Sequence, residues 1–207
     1  MKSGKEFRDE ILWRSSFESD NRWGIPMMKR QDWVGGQSEL IAFSDTRPHE
    51  NEINKTKGVH CFVDDPRFAG LYRNPYRTLS KVSQYKFLLS PDDSVYAEAS
   101  PWLQMRAVAH NRWVGAFWQS QGLICYPSIA WGTPQTFEFC FLGAARGSTV
   151  AIATYACKLS RQAFLQGYVA MLDAIEPEHI ICFGEPFLEM REVDLLCIPS
   201  IPKERRL

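Results

Sequence analysis

The 207-residue sequence lacks the short motifs that mark the commonest nucleotide-binding and hydrolytic sites. It contains neither the P-loop pattern nor Gly-x-Gly-x-x-Gly, and no serine lies in a Gly-x-Ser-x-Gly elbow. The first two motifs need their glycines because the backbone must approach the phosphates closely. The absences argue against ordinary ATP, nicotinamide or flavin binding, and against a serine hydrolase of the elbow type.

An excess of charge of one sign is also missing, because 24 Lys and Arg residues balance 24 Asp and Glu residues. Sequence-independent binding to nucleic acid depends on a basic surface, so it gains no support, although a local basic patch stays open. No apolar run is long enough to span a bilayer, and the amino end shows no secretory apolar region or cleavage site. These features predict a cytosolic protein without a membrane segment.

Metal-ligand spacing is absent as well. The six cysteines form no Cys-x-x-Cys pair and have no close histidine, and four of them lie in apolar runs: Cys61, Cys125, Cys182 and Cys197. Buried, reduced thiols explain them best, with a metal site or disulfides as the alternatives. His60 and His179 lie in apolar strands and His110 lies toward the packing side of a helix, so we expect no histidine metal ligand.

The most regular stretch of the sequence runs from Lys86 to Trp131. A short apolar strand is followed by a helix of about twenty residues, which Ser100-Pro101 opens and Gly122 closes, and then by the strand Leu123–Tyr126. Ser100 is expected to cap the free N–H groups of that helix. Strand, helix, strand predicts two parallel neighbouring strands, and groups beyond their carboxyl ends would face one cleft.

The same alternation of apolar strands and helices continues on both sides of this unit. Further strands are predicted at residues 39–43, 58–63, 148–154, 179–183 and 195–198, and helices at 76–85, 133–143 (capped by Thr133) and 160–175. Apolar, non-alternating strands predict an α/β fold: a largely parallel sheet flanked by helices, either open or an incomplete (β/α) barrel. The chain is too short for a full eight-stranded barrel, which typically needs about 250 residues.

We predict one α/β domain over residues 1–207. Residues 1–38 form an irregular covering arm with a possible short helix at 5–17, residues 39–198 form the core, and residues 199–207 form a tail. The arm is rich in tryptophan, with Trp13, Trp23 and Trp33. We expect these rings to pack on the core, with a role as an anchor for a partner protein as the alternative.

Carboxylates are concentrated where the predicted strands end: Asp45, Asp64, Asp65, Asp92, Asp93 and Glu185. If they converge, neighbouring carboxylates raise each other's pKa, so one can act as general acid and another as base, or together they can hold a divalent cation. The alternative is structural, since Asp after a strand is also a common turn former and helix cap.

The long helix carries a second group of polar residues. One broad face is apolar and contains Trp102, Leu103, Ala109, Trp113, Val114 and Phe117. The opposite arc has no Lys or Glu, and contains Gln104, Val108, Asn111, Arg112, Gly115, Trp118 and Gln119, with Trp118 expected to be exposed. Amides and one guanidinium suit either a buried hydrogen-bonded contact with a neighbouring element or a polar ligand.

Several motifs in a fixed order resemble an uncharacterised domain-of-unknown-function family found in bacteria, archaea, phages and other mobile elements. They cover roughly residues 24 to 185 and are Gly58–Asp65 with Arg67-Phe68, Leu89–Asp92, Asn111–Trp113, Gly115–Gln119, Tyr126–Trp131 and Phe137–Phe141. This chain differs from the family pattern at Pro66 and Asp93. The resemblance implies a phage or mobile-element setting and no established activity.

The leading hypothesis is a small enzyme that acts on a polar substrate such as a nucleotide, a modified base or a sugar. Asp92 with Asp64 or Asp65 would be the acid–base or cation-holding pair. The remaining candidates would bind substrate, by hydrogen bonds from Gln104, Asn111, Arg112, Gln119, Ser128 and Glu185 or by stacking on Trp118 or Trp131. The alternative is a non-catalytic phage-encoded factor that binds and inhibits a host or defence protein, with the oligomeric state left open.

Overall fold

The computed structural model describes residues 17–34, 36, 38–155, 157, 160–190 and 195–198. The described residues contain seven strands: β1 (Leu40–Ala42), β2 (Gly58–His60), β3 (Phe87–Leu89), β4 (Cys125–Tyr126), β5 (Val150–Ala153), β6 (Ile180–Phe183) and β7 (Leu195–Ile198). The candidate helix at residues 5–16, Trp13 and the tail at 199–207 lie outside this part of the chain. The prediction of a parallel α/β sheet is confirmed.

The strands follow one another in sequence order. Every pairing between neighbours is parallel, from β1 to β4 and again from β5 to β7. A parallel bridge between Ser128 and Ala151 joins the two groups, supported by the hydrogen bond from Ile129 N to Ala151 O at 2.8 Å. All strand carboxyl ends therefore lie along the same edge of one continuous arrangement.

The sheet is strongly curled, and no pairing among the described strands closes it into a barrel. Phe183 at the end of β6 lies 5.2 Å, ring centroid to ring centroid, from Phe62 and 4.5 Å from His60 of β2. Four strand spacings would separate β2 from β6 by about 19 Å in a flat sheet. The inner face forms an apolar cluster with Phe62, Phe87, Leu89, Tyr126, Ala151 and Ile181.

Helices cover the outer face of the sheet. They are α1 (Glu52–Lys55), α2 (Gly70–Arg73), α3 (Tyr76–Val82), α4 (Pro101–Ser120), α5 (Phe137–Cys140) and α6 (Arg161–Ile175), with 3-10 turns at Phe43–Asp45, Asp65–Arg67, Pro134–Thr136 and Leu188–Met190. Among these described helices, none has the length and apolar character needed to cross a membrane. Two further apolar clusters lie between helices and strands, one on each half of the sheet.

The long helix α4 begins at Pro101 as predicted and ends at Ser120, and Gly122 follows with a left-handed φ of 79°. The predicted caps are wrong, because neither the Ser100 nor the Thr133 side chain bonds a backbone N–H of the following helix. The Ser100 carbonyl instead accepts from Leu103 N at 2.9 Å. Two residues of the predicted apolar face are exposed, Trp102 at 65% and Leu103 at 36%, so this part of the prediction is wrong.

The described arm packs its last tryptophan at the amino ends of the strands. The ring of Trp33 lies 5.3 Å from Phe87, 5.3 Å from Tyr126 and 6.5 Å from His179. The Tyr126 hydroxyl donates to Asp32 O at 2.7 Å and accepts from Val34 N at 3.1 Å. Trp33 therefore covers the inner apolar cluster at the end of the sheet opposite to the strand carboxyl ends.

Replacing Trp33 with Ala is expected to lower the free energy of unfolding by about 2–4 kcal/mol, because the ring leaves a cavity against three aromatic neighbours. Trp23→Ala is the matched control, since Trp23 is 40% exposed and its substitution should cost below about 1 kcal/mol. Urea unfolding followed by circular dichroism measures both. Equal losses for the two variants would contradict the packing role of Trp33.

Candidate functional site

A pocket of about 570 Å³ opens at the strand carboxyl ends. Its walls come from the segments that follow β2, β3, β4 and β5, together with the start of α6. They include three carboxylates and several aromatic rings: Asp64, Asp65, Asp92, Phe62, Tyr96, Trp131, Tyr155 and Phe164. Ligand sites of parallel α/β proteins collect at this edge, so the pocket lies where the topology favours a site.

The loops that carry the carboxylates are held by local hydrogen bonds. Asp64 and Asp65 enter a 3-10 turn after β2, with Pro66 in its first positions. Ser90, just before Pro91-Asp92, exchanges two bonds with Ser128: Ser128 N donates to Ser90 Oγ at 2.9 Å, and Ser128 Oγ donates to Ser90 O at 2.6 Å. These bonds join the ends of β3 and β4 next to Asp92.

Asp92 is the most unusual group of the pocket. Its Oδ1 is buried and has no hydrogen-bond partner among the residues that the structure describes. The pKa of Asp92 is raised from its ordinary 3.8 to about 7, mainly by burial; the carboxylates Asp65 and Asp93 contribute to the rise, and the Arg112 guanidinium opposes it. Near neutral pH this carboxyl group can therefore both give and accept a proton.

Asp65 is the second carboxyl of raised pKa in the pocket wall. Burial is the main cause and Asp93 adds to it, whereas hydrogen bonds from Ser94 act in the opposite direction. Ser94 Oγ donates to Asp65 Oδ1 at 2.9 Å and Ser94 N donates to Oδ2 at 3.4 Å. The two neighbouring carboxyls differ in that Asp65 is held by donors and Asp92 Oδ1 is not.

The predicted polar arc of α4 is buried and bonds backbone groups. Arg112 donates to Leu142 O at 3.0 Å, Ser128 O at 2.7 Å and Cys140 O at 3.1 Å. Asn111 makes two hydrogen bonds to the backbone of Asp93: its Oδ1 accepts from Asp93 N at 2.8 Å, and its Nδ2 donates to Asp93 O at 3.3 Å. These side chains position the loops around the pocket, and neither of them lines it.

Apart from Trp131, the other predicted substrate-binding residues also lie away from the pocket walls. Gln104 Nε2 donates to Tyr96 O at 2.6 Å, and Gln119 bonds both backbone groups of Lys29 in the arm. Glu185 is exposed on the loop after β6. The expectation that Trp118 is exposed is wrong: its side chain is fully buried in the cluster between α4 and the sheet, because this face of α4 packs inward.

Four of the predicted site residues do line the pocket: Asp64, Asp65, Asp92 and Trp131. The sequence reasoning missed three others with chemistry to offer, Ser94, Tyr96 and Tyr155. Tyr155 comes two residues after β5, so the strand-end argument applied to the carboxylates would have found it. Ser94 and Tyr96 lie in a loop without a regular pattern, and no sequence signal distinguishes them.

Cysteine and metal chemistry are not concentrated at this pocket. All six thiols are free, and Cys61, Cys125, Cys140 and Cys182 are buried, as expected of small apolar side chains. Cys157 is partly exposed in the pocket wall and Cys197 is exposed, so the burial predicted for Cys197 is wrong. Within the part of the chain that the structure describes, no three His, Cys, Asp or Glu residues are grouped as metal ligands.

Residues 17–200 match the family described as Domain of unknown function (DUF4417). The chain belongs to this family. The resemblance deduced from the sequence motifs is thus confirmed. Three of the segments that carry the resemblance supply walls of the pocket: Gly58–Asp65, Leu89–Asp92 and Tyr126–Trp131.

Two curated relatives are phage proteins. The chain is 32% identical to the Gene 1 protein of Mycobacterium phage L5 over 196 residues, which cover 93% of this chain and 83% of the relative. It is 31% identical to the Gene 1 protein of Mycobacterium phage D29 over 196 residues, 93% of this chain and 70% of the relative. No solved structure matches this DUF4417 chain.

Asp92→Asn is expected to stabilise the protein at alkaline pH. The folded state keeps the Asp92 proton up to about pH 7, whereas the unfolded chain loses it near the ordinary pKa of 3.8. The folded state therefore binds more protons in this window, and the wild-type free energy of unfolding falls as the pH rises through it. The neutral amide escapes this loss, which is on the order of 4 kcal/mol once the pH exceeds 7.

Melting temperatures measured from pH 4 to about pH 8 test this, because the advantage of Asp92→Asn should grow with pH and then level off. Asp173→Asn is the matched control, the same change on the exposed side of α6. A pH-independent difference between Asp92→Asn and wild type would contradict the raised pKa of Asp92.

Proposed function

We propose that the pocket at the strand carboxyl ends binds a small polar molecule and that Asp92, together with Asp65, performs acid–base chemistry on it. The observation that carries the proposal is the buried, unpartnered Oδ1 of Asp92 beside a second carboxyl group in the wall of a pocket. Buried polar atoms of folded proteins almost always have a partner. A donor from a bound molecule would supply the one that Asp92 lacks.

The electrostatics of the pair suit proton transfer. Asp65 raises the pKa of Asp92, so Asp92 can remain protonated near neutral pH while Asp65 is charged. The protonated group is then the general acid and the charged group the general base. Asp65, stabilised by donors from Ser94, suits the charged role, and Asp92, without a donor to Oδ1, suits the protonated one.

The aromatic walls give the pocket a way to orient a flat ring. Trp131 packs against Phe164, with ring centroids 4.9 Å apart, and against Phe141 at 6.2 Å. Gly167 of α6 lies directly beneath the Trp131 indole, where any side chain would overlap the ring. A fixed indole beside two carboxyls supports a ligand such as a nucleoside, a modified base or a sugar, within the size range of small-molecule sites.

A second function, binding to a host or defence protein, is favoured by one surface next to the pocket. Tyr96, Trp102 and Leu103 are 57%, 65% and 36% exposed, and Tyr96 and Leu103 line a common depression of about 180 Å³. Exposed aromatic side chains around a depression are typical anchors of protein interfaces. This surface and the carboxylate pocket share Asp65, Ser94 and Tyr96.

A thermal-shift screen against nucleosides, free bases, sugars and divalent cations tests the first function, because a ligand that binds only the folded state raises the melting temperature. We expect a shift of several degrees with one class in the wild type and in Asp173→Asn, and its loss in Asp92→Asn. Each shift is measured relative to the same variant without ligand, so the altered stability of Asp92→Asn cancels.

Two outcomes would contradict the acid–base pocket. One is a shift that survives in Asp92→Asn and in Asp65→Asn alike. The other is the absence of any shift, combined with specific capture of a phage-host protein that Tyr96→Ala and Trp102→Ala abolish. The second result would support the interaction function in its place.

A further inference from the structure

The described walls of the pocket carry charge of one sign only. Asp64, Asp65 and Asp92 contribute carboxyl groups, and none of the described lining residues is Lys, Arg or His. Arg112 interacts with Asp92 electrostatically, but its guanidinium is bonded to three carbonyls and does not line the pocket. A bound molecule therefore meets negative electrostatic potential, and no described residue of these walls supplies a positive charge to offset it.

The aromatic rings add to the same preference. Trp131, Tyr96 and Tyr155 lie in the walls, and the latter two are about half exposed. The face of an aromatic ring carries negative electrostatic potential, which attracts a cationic nitrogen and repels an anion. Carboxylates combined with ring faces are the groups that recognise ammonium ions in proteins, whereas phosphates are recognised by Arg, Lys and backbone N–H groups.

We propose that the ligand of this pocket carries a cationic nitrogen, such as a protonated amine or amidine joined to a flat ring, and carries no phosphate. The inference rests on the proposed function, because it assumes that the pocket binds a small molecule at Asp92. It narrows that function, since nucleotides and sugar phosphates leave the set of substrates while amine-bearing bases, nucleosides and amino sugars remain.

The cation supplies what the pocket lacks. Its N–H groups are donors for the Asp92 carboxyl group, whose Oδ1 has no partner within the described part of the chain. Its charge offsets the repulsion between Asp65 and Asp92, which raises the pKa of Asp92 in the free protein. The flat part of the molecule would pack against the fixed indole of Trp131. A neutral molecule of the same shape can donate a hydrogen bond and pack on the indole, but it cannot offset the repulsion between the carboxyl groups.

The test is isothermal titration with three probes that share one ring and differ in charge: tryptamine, the neutral alcohol tryptophol, and the anion indole-3-propionate. The titration is run at about pH 8, above the pKa of Asp92, which is about 7, so that Asp92 is mostly ionised. We expect tryptamine to bind at least about ten-fold more tightly than tryptophol, and indole-3-propionate to bind more weakly than either.

Variants test which side chain causes the preference for a cationic probe. Asp92→Asn should abolish the advantage of tryptamine over tryptophol, whereas Asp173→Asn should preserve it. Lys158 lies between the lining residues Cys157 and Ser160 in the sequence and outside the described residues. Lys158→Gln is therefore included as a further variant. The proposal would be overturned if the wild type bound indole-3-propionate more tightly than tryptamine and Lys158→Gln lost this preference.

The charge series also separates this inference from the proposed function. Equal binding of tryptamine and tryptophol would overturn the cation preference. So would a failure of all three probes to bind, if a neutral sugar or a nucleotide gives a thermal shift that depends on Asp92. Both results would leave the proposed acid–base pocket intact. No binding in the titration and no shift in the wider screen overturns both. Wild-type protein alone decides the order of the three probes, so the result does not depend on the folding of any variant.

Discussion

The constraint on which the structure depends is the curl of a parallel sheet whose strands follow the sequence order. With every strand parallel, all carboxyl ends lie on one edge. The curl brings the side chains of β2 and β6 into contact, and so turns that edge from a line into a rim. The carboxylates after β2 and β3 and the rings after β4 and β5 meet around one pocket for this reason.

The curled sheet has two open ends, and among the described residues of the arm an aromatic side chain covers only one of them. Trp33 covers the amino end. Its ring packs against aromatic residues of the inner cluster, and the backbone next to it donates a hydrogen bond to one of them. The carboxyl end keeps a cavity, and a carboxyl group without a partner for Oδ1 lies in its wall. Such a group lowers the stability of the folded state, and residues of this kind are concentrated at functional sites.

The strand positions and the parallel order follow from apolar runs separated by helical periods, so the fold class could be predicted from the sequence. The strand-end rule placed Asp64, Asp65, Asp92 and Trp131, because the edge of a parallel sheet follows from local pattern alone. It could not exclude Glu185, since which strand-end loop bends toward the pocket depends on the curl. The burial of Trp118 was missed because α4 packs on more than one side.

The polar arc of α4 shows why its residue types fitted two interpretations. A buried helix face that bonds main-chain carbonyls and N–H groups needs amides and a guanidinium, and so does a face that binds a polar ligand. Arg112 hydrogen-bonds the segments that follow β4 and end α5, and Asn111 hydrogen-bonds the backbone of the residue next to Asp92. A carboxyl group without its own hydrogen bonds keeps its place only if its backbone is held by others. The anchoring role of α4 is therefore what allows Asp92 to remain unpartnered.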